Sequence, residues 1–325
     1  MKTIRPLLIT ILFILLCISS YGRPGAGATD LKLWFNQPAI RWDHGMPVGN
    51  GRLGGVLLGG VEKDRLYLNE ESIWSHDGSY LDRQNAHEYI PTIRKLLFAG
   101  KYEEAERMMQ EKVMQERLPS GTNTNQELGY LDFTWAGHDD ARDYYRALDL
   151  EHAVASVTYK VERSVMSRTL FSSAPHQALV YRIESSVDSM LTGTIAFDRA
   201  ALPEVVEVEG NTMRISGLAG KKHGVTYHAR IHLSVEGGKA RAIDKGWKVE
   251  DCNAVTIYVT AATDYLNRAP EERVEEELDK AVRTRYGELL EAHISEYQKY
   301  FKRFSIDLGH SDAQFFPTDQ RIEAV

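Results

Sequence analysis

Two adjacent carboxylic acids, Glu70 and Glu71, are the residues whose chemistry is easiest to name. Paired carboxyl groups can act as general acid and general base, or as acid and nucleophile, on either side of a bond that is cleaved. The preceding residues Arg65–Asn69 have the pattern of a strand, and adjacent strand residues point to opposite faces of a sheet. At most one of the two glutamates could therefore enter a shared cleft. We predict that both lie at a sheet end or an interface, and we assign no catalytic residue.

A glycine cluster precedes the two glutamates within residues 42–74. Its G-x-G-x-x-G spacing, which starts at Gly49, matches a phosphate-binding loop, but that loop needs a strand before it and a helix after it. Leu53 to Val61 instead has the composition of a strand, and no strong strand pattern comes before it. The sequence favours a hairpin of Leu53–Val61 and Arg65–Asn69, with Glu62–Asp64 as the turn, over a nucleotide site.

A third candidate for chemistry is the pair His228 and His232, with Arg230 between them. The three side chains share one face of a predicted strand and could suggest a metal site. The apolar residues occupy the other face, so we interpret the histidine face as a solvated outer face. No HExxH, paired Cys-x-x-Cys or EF-hand pattern is present, so we predict neither a metal nor a cofactor.

The elements that must position these residues are mostly strands. From Leu128 onward the hydrophobic period is two, as in Ala153–Val161, where every second residue is apolar or aromatic. The same alternation recurs over Tyr227–Val235 and Val255–Val259, with glycine-bearing turns between the strands. The predicted fold class is mainly β: a large antiparallel β-sandwich with an inserted helix pair, followed by a helical linker.

Helical periodicity appears in two places. A helix pair is predicted over residues 89–97 and 101–117, separated by Gly100, because apolar residues recur there every three or four positions. The predicted inward face of the second helix consists of Tyr102, Ala105, Met108, Met109 and Val113. A long helical stretch follows the sandwich over residues 271–304, and Gly287 is a candidate for a break within it.

Composition and the N-terminal residues indicate which partners and which cellular location to expect. The formal net charge is −7 with a pI of about 5.9, so the composition gives no reason to expect binding to nucleic acid. Lys2 and Arg5 precede an apolar run, Leu7–Ile18, that is too short to span a bilayer comfortably, which predicts a signal peptide over residues 1–22. We therefore expect an exported, periplasmic or extracellular protein without a stable membrane anchor. Cleavage leaves Cys252 as the only cysteine, so no intramolecular disulfide can form.

The glycine-rich stretch also carries a resemblance. PVGNGRLGGVLLGG followed by LNEESIW is similar to the N-terminal domain of glycoside hydrolase family 95, the α-L-fucosidase family. Leu128–Leu131, Tyr145–Leu150 and His293–Gly309 agree with the same family in the same order along the chain. The resemblance covers roughly Leu33 to the C-terminus.

The resemblance implies an activity that this stretch of chain does not itself supply. Complete members hydrolyse α-L-fucosides, typically with inversion, in an (α/α)6 barrel whose catalytic groups lie downstream of the matched region. No catalytic residue is therefore carried onto this sequence, and another α-glycoside remains an alternative substrate. The expected partners are the downstream catalytic domain and, in the complete enzyme, a fucosylated glycan. Five residues are candidates for the edge of the sugar cleft or for the domain interface: Asn50, Arg52, Asn69, Glu70 and Trp74.

The expected division of the chain follows from these patterns. Residues 30–268 are the predicted N-terminal β-sandwich domain, residues 269–317 a helical linker, and residues 318–325 the start of a truncated catalytic domain. We expect the 325-residue chain to be inactive alone and to act as the non-catalytic part that packs against the barrel. Two alternatives are a free-standing carbohydrate-binding module and a purely structural β-sandwich.

Overall fold

The alternating pattern corresponds to two antiparallel sheets in the computed structural model, which describes residues 31–75, 83–114, 124–199, 204–220, 224–265, 269–309 and 311–324. The predicted signal peptide lies outside these residues. The strands are β1 (Lys32–Phe35), β2 (Met46–Gly49), β3 (Leu53–Leu57), β4 (Lys63–Glu70), β5 (Gly129–Trp135), β6 (Arg142–Asp149), β7 (Val154–Val161), β8 (Ser164–Ser173), β9 (Ala178–Ser185), β10 (Leu191–Asp198), β11 (Glu204–Glu209), β12 (Thr212–Leu218), β13 (Thr226–Glu236), β14 (Lys239–Ile243), β15 (Gly246–Cys252) and β16 (Ala254–Thr263).

The two sheets pack face to face as a sandwich. The nine-stranded sheet has the order β1-β6-β7-β8-β9-β16-β13-β12-β11, and the seven-stranded sheet has the order β14-β15-β10-β5-β4-β3-β2. In β7 the predicted inward positions Ala155, Val157, Tyr159 and Val161 are all buried, which confirms the period-two alternation. Phe133 of one sheet meets Tyr181 of the other edge to face, with ring centroids 5.4 Å apart. The predicted mainly-β class is confirmed.

Five α-helices lie outside the two sheets in the described residues. They are α1 (Ile90–Phe98), α2 (Tyr102–Lys112), α3 (Pro270–Arg283), α4 (Tyr286–Phe301) and α5 (Thr318–Glu323). The helices α1 and α2 form the predicted pair between β4 and β5, and Gly100 between them has a φ of +73°. None of the helices in the described ranges combines the length and hydropathy that a membrane span needs.

The predicted inward face of the second helix was partly wrong. Ala105 is buried, but Tyr102 is 68% exposed and α2 ends at Lys112 rather than at residue 117. In α1 only Ile93 is buried, whereas Phe98 is 92% exposed. Met108, Met109 and Val113 of the predicted face are half-buried, and only Tyr102 is exposed. The pair therefore buries a narrow seam between its own helices and leaves the edges of the predicted apolar stripe at the surface.

The long helical stretch is two helices that cover the nine-stranded sheet. The break falls at Thr284 and Arg285, two residues before Gly287, which lies inside α4. Every residue of β16 is buried, because the seven-stranded sheet covers one of its faces and α3 covers the other. The Thr260 hydroxyl of β16 donates to the Val274 carbonyl of α3 over 2.8 Å. The helical linker is thus bound along the sandwich.

The predicted turn of the glycine-rich hairpin was also wrong. Lys63 and Asp64 belong to β4, and the connection from β3 runs over residues 58–62. The Asp64 carboxylate accepts hydrogen bonds from the Gly60 and Arg65 backbone N–H groups, and it pairs with Arg168 of the opposite sheet over 2.8 Å. Both charged side chains are fully buried. Aspartate is typical of turns, but Asp64 instead forms a buried ion pair with Arg168 that joins the two sheets.

The prediction of a solvated outer face at His228, Arg230 and His232 was wrong as well. Arg230 is 3% exposed and donates to Glu271 of α3 over 3.0 Å. The two histidines are half-buried, and His232 Nδ1 lies 2.9 Å from the Thr212 hydroxyl. The face is polar because it receives a charged helix. Alternation alone cannot distinguish a helix-covered face from one in contact with water.

Candidate functional site

A tight turn between β2 and β3 forms the base of the candidate site. Asn50 Oδ1 accepts the backbone N–H groups of Arg52 (3.0 Å) and Leu53 (2.8 Å). Gly51 has a φ of +90°, a conformation that favours glycine. Asn50 Nδ2 also donates to the Ser173 carbonyl over 3.2 Å, which fixes the turn to β8 in the other sheet. The Asn-Gly pair thus aims the next side chain, that of Arg52.

Arg52 is the centre of the site. Its Nε donates to Gln177 Oε1 over 2.7 Å, its Nη1 donates to the Ala261 carbonyl, and its Nη2 donates to Glu277 Oε2 over 2.8 Å. Burial lowers the pKa of Arg52, and the Glu277 and Glu70 carboxylates oppose that shift. One guanidinium therefore joins the glycine-rich turn, the β8–β9 connection, the end of β16 and helix α3.

Glu70 lies on the inner side of the same cluster and is only 2% exposed. Its Oε2 accepts the Ser72 backbone N–H (2.8 Å) and hydroxyl (2.7 Å), and the Ser72 hydroxyl is 2.6 Å from that of Thr263. Arg52 Nη1 is 3.9 Å from Glu70 Oε1. Burial raises the pKa of Glu70, while the Ser72 hydrogen bonds and the Arg52 charge act in the opposite direction. The carboxyl group is held rigidly and offers no surface to a substrate.

The two remaining candidates lie outside the Arg52 cluster. Asn69 is exposed and points to the face opposite Glu70, as strand alternation requires. Trp74 is 40% exposed, and its indole N–H donates to the Glu71 carbonyl over 2.9 Å. Asn125 Nδ2 donates to that same carbonyl over 3.0 Å. The structure thus brings Asn50, Arg52 and Glu70 together and leaves Trp74 with an accessible ring on the neighbouring loop.

Sequence reasoning missed the partners that complete the cluster. Ser72 stands two residues after Glu70, a short-range signal that was available. Gln177, Thr263 and Glu277 come from distant parts of the chain, and no local pattern marks them. Because Glu277 stands on the sandwich-facing side of α3, the helical period could have placed it at a contact but not beside a particular arginine.

The chemistry of this arrangement is that of a buried ion cluster. Glycoside cleavage uses two carboxyl groups that face a common space about 5–10 Å wide. Here the Glu70 and Glu277 carboxyl groups both face Arg52, and the space between them is filled by the guanidinium. Within the described residues no three His, Cys, Asp or Glu side chains are grouped so that they could hold a metal ion.

The fold and a match to a known domain family define the class of protein. The chain has the antiparallel β-sandwich, followed by helices, of a glycoside hydrolase N-terminal domain. The family model described as "Glycosyl hydrolase family 65, N-terminal domain" matches residues 33–268, and the chain belongs to that family.

Several named proteins are similar to this chain. Alpha-L-fucosidase 2 of Arabidopsis thaliana is 26% identical over an alignment 316 residues long, and the match covers 86% of this chain and 37% of the relative. Probable alpha-fucosidase A of Aspergillus oryzae is 23% identical over an alignment 303 residues long, and the match covers 86% of this chain and 42% of the relative. A solved structure named as a kojibiose phosphorylase from the human microbiome is 12% identical, with a TM-score of 0.47. The match covers 85% of this chain and 38% of that one. The chain thus spans about two fifths of the curated relatives' length.

Proposed function

We propose that this chain is the N-terminal, non-catalytic part of an exported, α-L-fucosidase-like enzyme of glycoside hydrolase family 95. The observation that carries the proposal is the similarity of 86% of the chain to proteins named as fucosidases. Since the match covers only 37% and 42% of those relatives, we assign the catalytic groups and the fucosylated glycan to the remainder of the enzyme. This chain then supplies a scaffold rather than an acid and a base.

The proposed role is to pack against a catalytic (α/α)6 barrel and to fix its position. The contacts of α3 and α4 with the nine-stranded sheet support this role, because they make the linker a rigid extension of the sandwich. Beyond α4 the chain carries apolar side chains that are between 54% and 88% exposed: Phe304, Ile306, Leu308, Phe315 and Phe316. An exposed apolar series of this kind is typical of a surface that another domain covers.

Trp74 is the residue we propose for the edge of the sugar cleft. Its ring is 40% exposed, and its N–H is already bound to the Glu71 carbonyl, so the apolar face is available to a sugar ring. Asn50, Arg52 and Glu70 contribute indirectly, by fixing the turn and the linker. Asn69 is exposed on the other face and stays a candidate for the domain interface.

The same tryptophan favours one alternative, a free-standing carbohydrate-binding module. Binding of the isolated chain to a glycan array, lost in Trp74→Ala, would support that alternative. A stable fold that binds no glycan would support the scaffold role.

The test of the proposal begins with the DNA downstream of codon 325. A reading frame that continues there, in phase or frameshifted, and encodes a helical barrel is the expected result. Co-expression of that region with this chain should then give a complex that hydrolyses an α-L-fucoside. A downstream sequence without any such frame, together with glycan binding by this chain alone, would favour the independent module.

A further inference from the structure

The connection between β1 and β2 holds two large apolar side chains in solvent. Ile40 is 85% exposed, and Trp42, which begins the 3-10 turn Trp42–His44, is 60% exposed. Arg41 and Asp43, the neighbours of Trp42 in the sequence, form an ion pair at the surface. An isolated exposed apolar residue is ordinary, whereas an exposed tryptophan grouped with other apolar side chains is typical of a contact surface.

The backbone of this connection is fixed to the sandwich. Arg146 Nε donates to the Gln37 carbonyl over 2.7 Å, and its Nη1 donates to the His44 carbonyl over 2.9 Å. The Ala39 backbone N–H donates to the Leu58 carbonyl over 3.0 Å. The two apolar side chains are therefore held outward by backbone that is bound on both sides of them. A side chain on fixed backbone loses little conformational entropy when a partner covers it.

Helix α5 lies against the same connection. The hydroxyl of its first residue, Thr318, accepts a backbone N–H of β1 over 2.9 Å. Gln37 Nε2 donates to Asp319 Oδ2 over 3.1 Å, although the two residues are 282 positions apart in the chain. Ile322, three residues after Asp319, is 71% exposed, and Ile40 stands three residues after Gln37. Exposed apolar side chains from two distant stretches thus flank one contact.

We infer that Ile40, Trp42 and Ile322, which we call the β1–α5 surface, form the place where the catalytic region of the complete enzyme docks on this chain. The inference rests on the proposed function and adds which face of the sandwich meets that region. The match covers only 37% and 42% of the fucosidase relatives, so most of the chain of such an enzyme lies outside it. In the proposed enzyme that remainder follows α5 and therefore begins at this surface. A second copy of the chain would have to reach a surface that already adjoins the remainder of the enzyme.

Substitution of Trp42 tests the inference in the complex of this chain with the downstream region. Trp42→Ala should weaken that complex by about tenfold or more, measured as a dissociation constant by sedimentation velocity. The melting temperature of the chain alone should change by less than about 2 °C, because the ring is mostly exposed. Phe98→Ala is the matched control, since Phe98 of α1 is 92% exposed but stands outside the β1–α5 surface, and it should leave the dissociation constant unchanged. An equal loss of affinity in both variants would overturn the inference.

A footprint of the wild-type proteins covers the case in which a variant folds poorly. Hydroxyl radicals oxidise exposed aromatic side chains, so oxidation of Trp42 should be several-fold lower in the complex than in the chain alone, while oxidation of Phe98 stays the same. A complex in which Trp42 is oxidised as readily as in the chain alone would overturn this inference and leave the proposed function standing. Absence of any complex would overturn both. Dimers of the chain alone that Trp42→Ala dissociates would assign the surface to a second copy and would also overturn the inference.

Discussion

Arg52 Nη2 donates to Glu277 Oε2 over 2.8 Å, and this contact joins the glycine-rich turn of the sandwich to the first helix of the linker. Both side chains are largely buried, with 12% and 14% of their surface exposed. Arg52 also reaches Gln177, the Ala261 carbonyl and the neighbourhood of Glu70. Arg52 is therefore one of the contacts that fix the linker on the sandwich, together with the Thr260–Val274 and Arg230–Glu271 hydrogen bonds.

The first prediction concerns that arginine. Arg52→Met should lower the free energy of unfolding by about 3 kcal/mol, because it leaves Glu70 buried without its cation and leaves Glu277 paired only with Arg273. Urea denaturation monitored by circular dichroism measures the change. Arg283→Met is the matched control, since Arg283 pairs with Asp279 on the same helix at the exposed surface and should cost less than about 0.5 kcal/mol. Equal effects of the two substitutions would contradict the central role of Arg52.

The second prediction separates two neighbouring glycines. A Cβ atom on Gly55 would lie 3.1 Å from Leu179 Cδ1 and 3.2 Å from the Tyr67 carbonyl, inside the sandwich core. Gly55→Val should therefore destabilise by about 1–3 kcal/mol through overpacking. On Gly54 a Cβ atom would meet only the Val48 carbonyl, at 3.3 Å, so Gly54→Val should cost less. Thermal unfolding of both variants checks the order, and the reverse order would show that the strand is not pressed against the core at Gly55.

The third prediction is a pH dependence that arises from His138. This imidazole is 1% exposed and lies 2.9 Å from the Tyr159 hydroxyl, and burial together with the Arg168 charge lowers its pKa to about 4. In the unfolded chain a histidine binds its proton near pH 6.5. The unfolded state therefore binds more protons between these pH values, so stability present above about pH 6.5 is lost as the pH falls towards 4.

The measurement compares the wild-type protein with His138→Gln across that window. The difference between their free energies of unfolding should shrink by up to about 3 kcal/mol as the pH falls from 6.5 to 4. Urea titrations at each pH give the two curves. Parallel curves would mean that His138 is protonated as readily in the folded protein as in the unfolded chain.

The fourth prediction is export with cleavage of the signal peptide. Lys2 and Arg5, followed by the apolar run Leu7–Ile18, are typical of a signal peptide with a cleavage site after Gly22. N-terminal sequencing of the exported protein should therefore start at Arg23, or at Thr29 if the second small-residue site is used. Full-length protein starting at Met1 and retained in the cytoplasm would contradict this.

The sandwich could be predicted from the sequence because alternation records which face of a strand is buried. That signal is strong in β7, where every second residue packs into the core. It is weak in β2, whose four residues Met-Pro-Val-Gly include a proline and a glycine, and the strand was missed. Alternation also failed at Asp64, since only the fold shows that Arg168 lies opposite it.

The candidate site was predictable in part for similar reasons. Asn50 and Arg52 belong to a turn whose glycines are visible in the sequence, and Glu70 follows a clear strand. The pairing of Arg52 with Glu277 joins residues 225 positions apart. No local propensity encodes such a contact, because the packing of α3 on the sheet decides it.

The central claim is that this chain is a scaffold without a catalytic acid–base pair of its own, and an activity assay tests it most directly. The purified 325-residue chain, incubated with 4-nitrophenyl α-L-fucoside and with 2′-fucosyllactose, should release no fucose. Addition of the separately expressed downstream region should restore turnover. Hydrolysis by the chain alone, abolished in Glu70→Gln or Glu71→Gln, would contradict the account and place the catalytic groups within the sandwich.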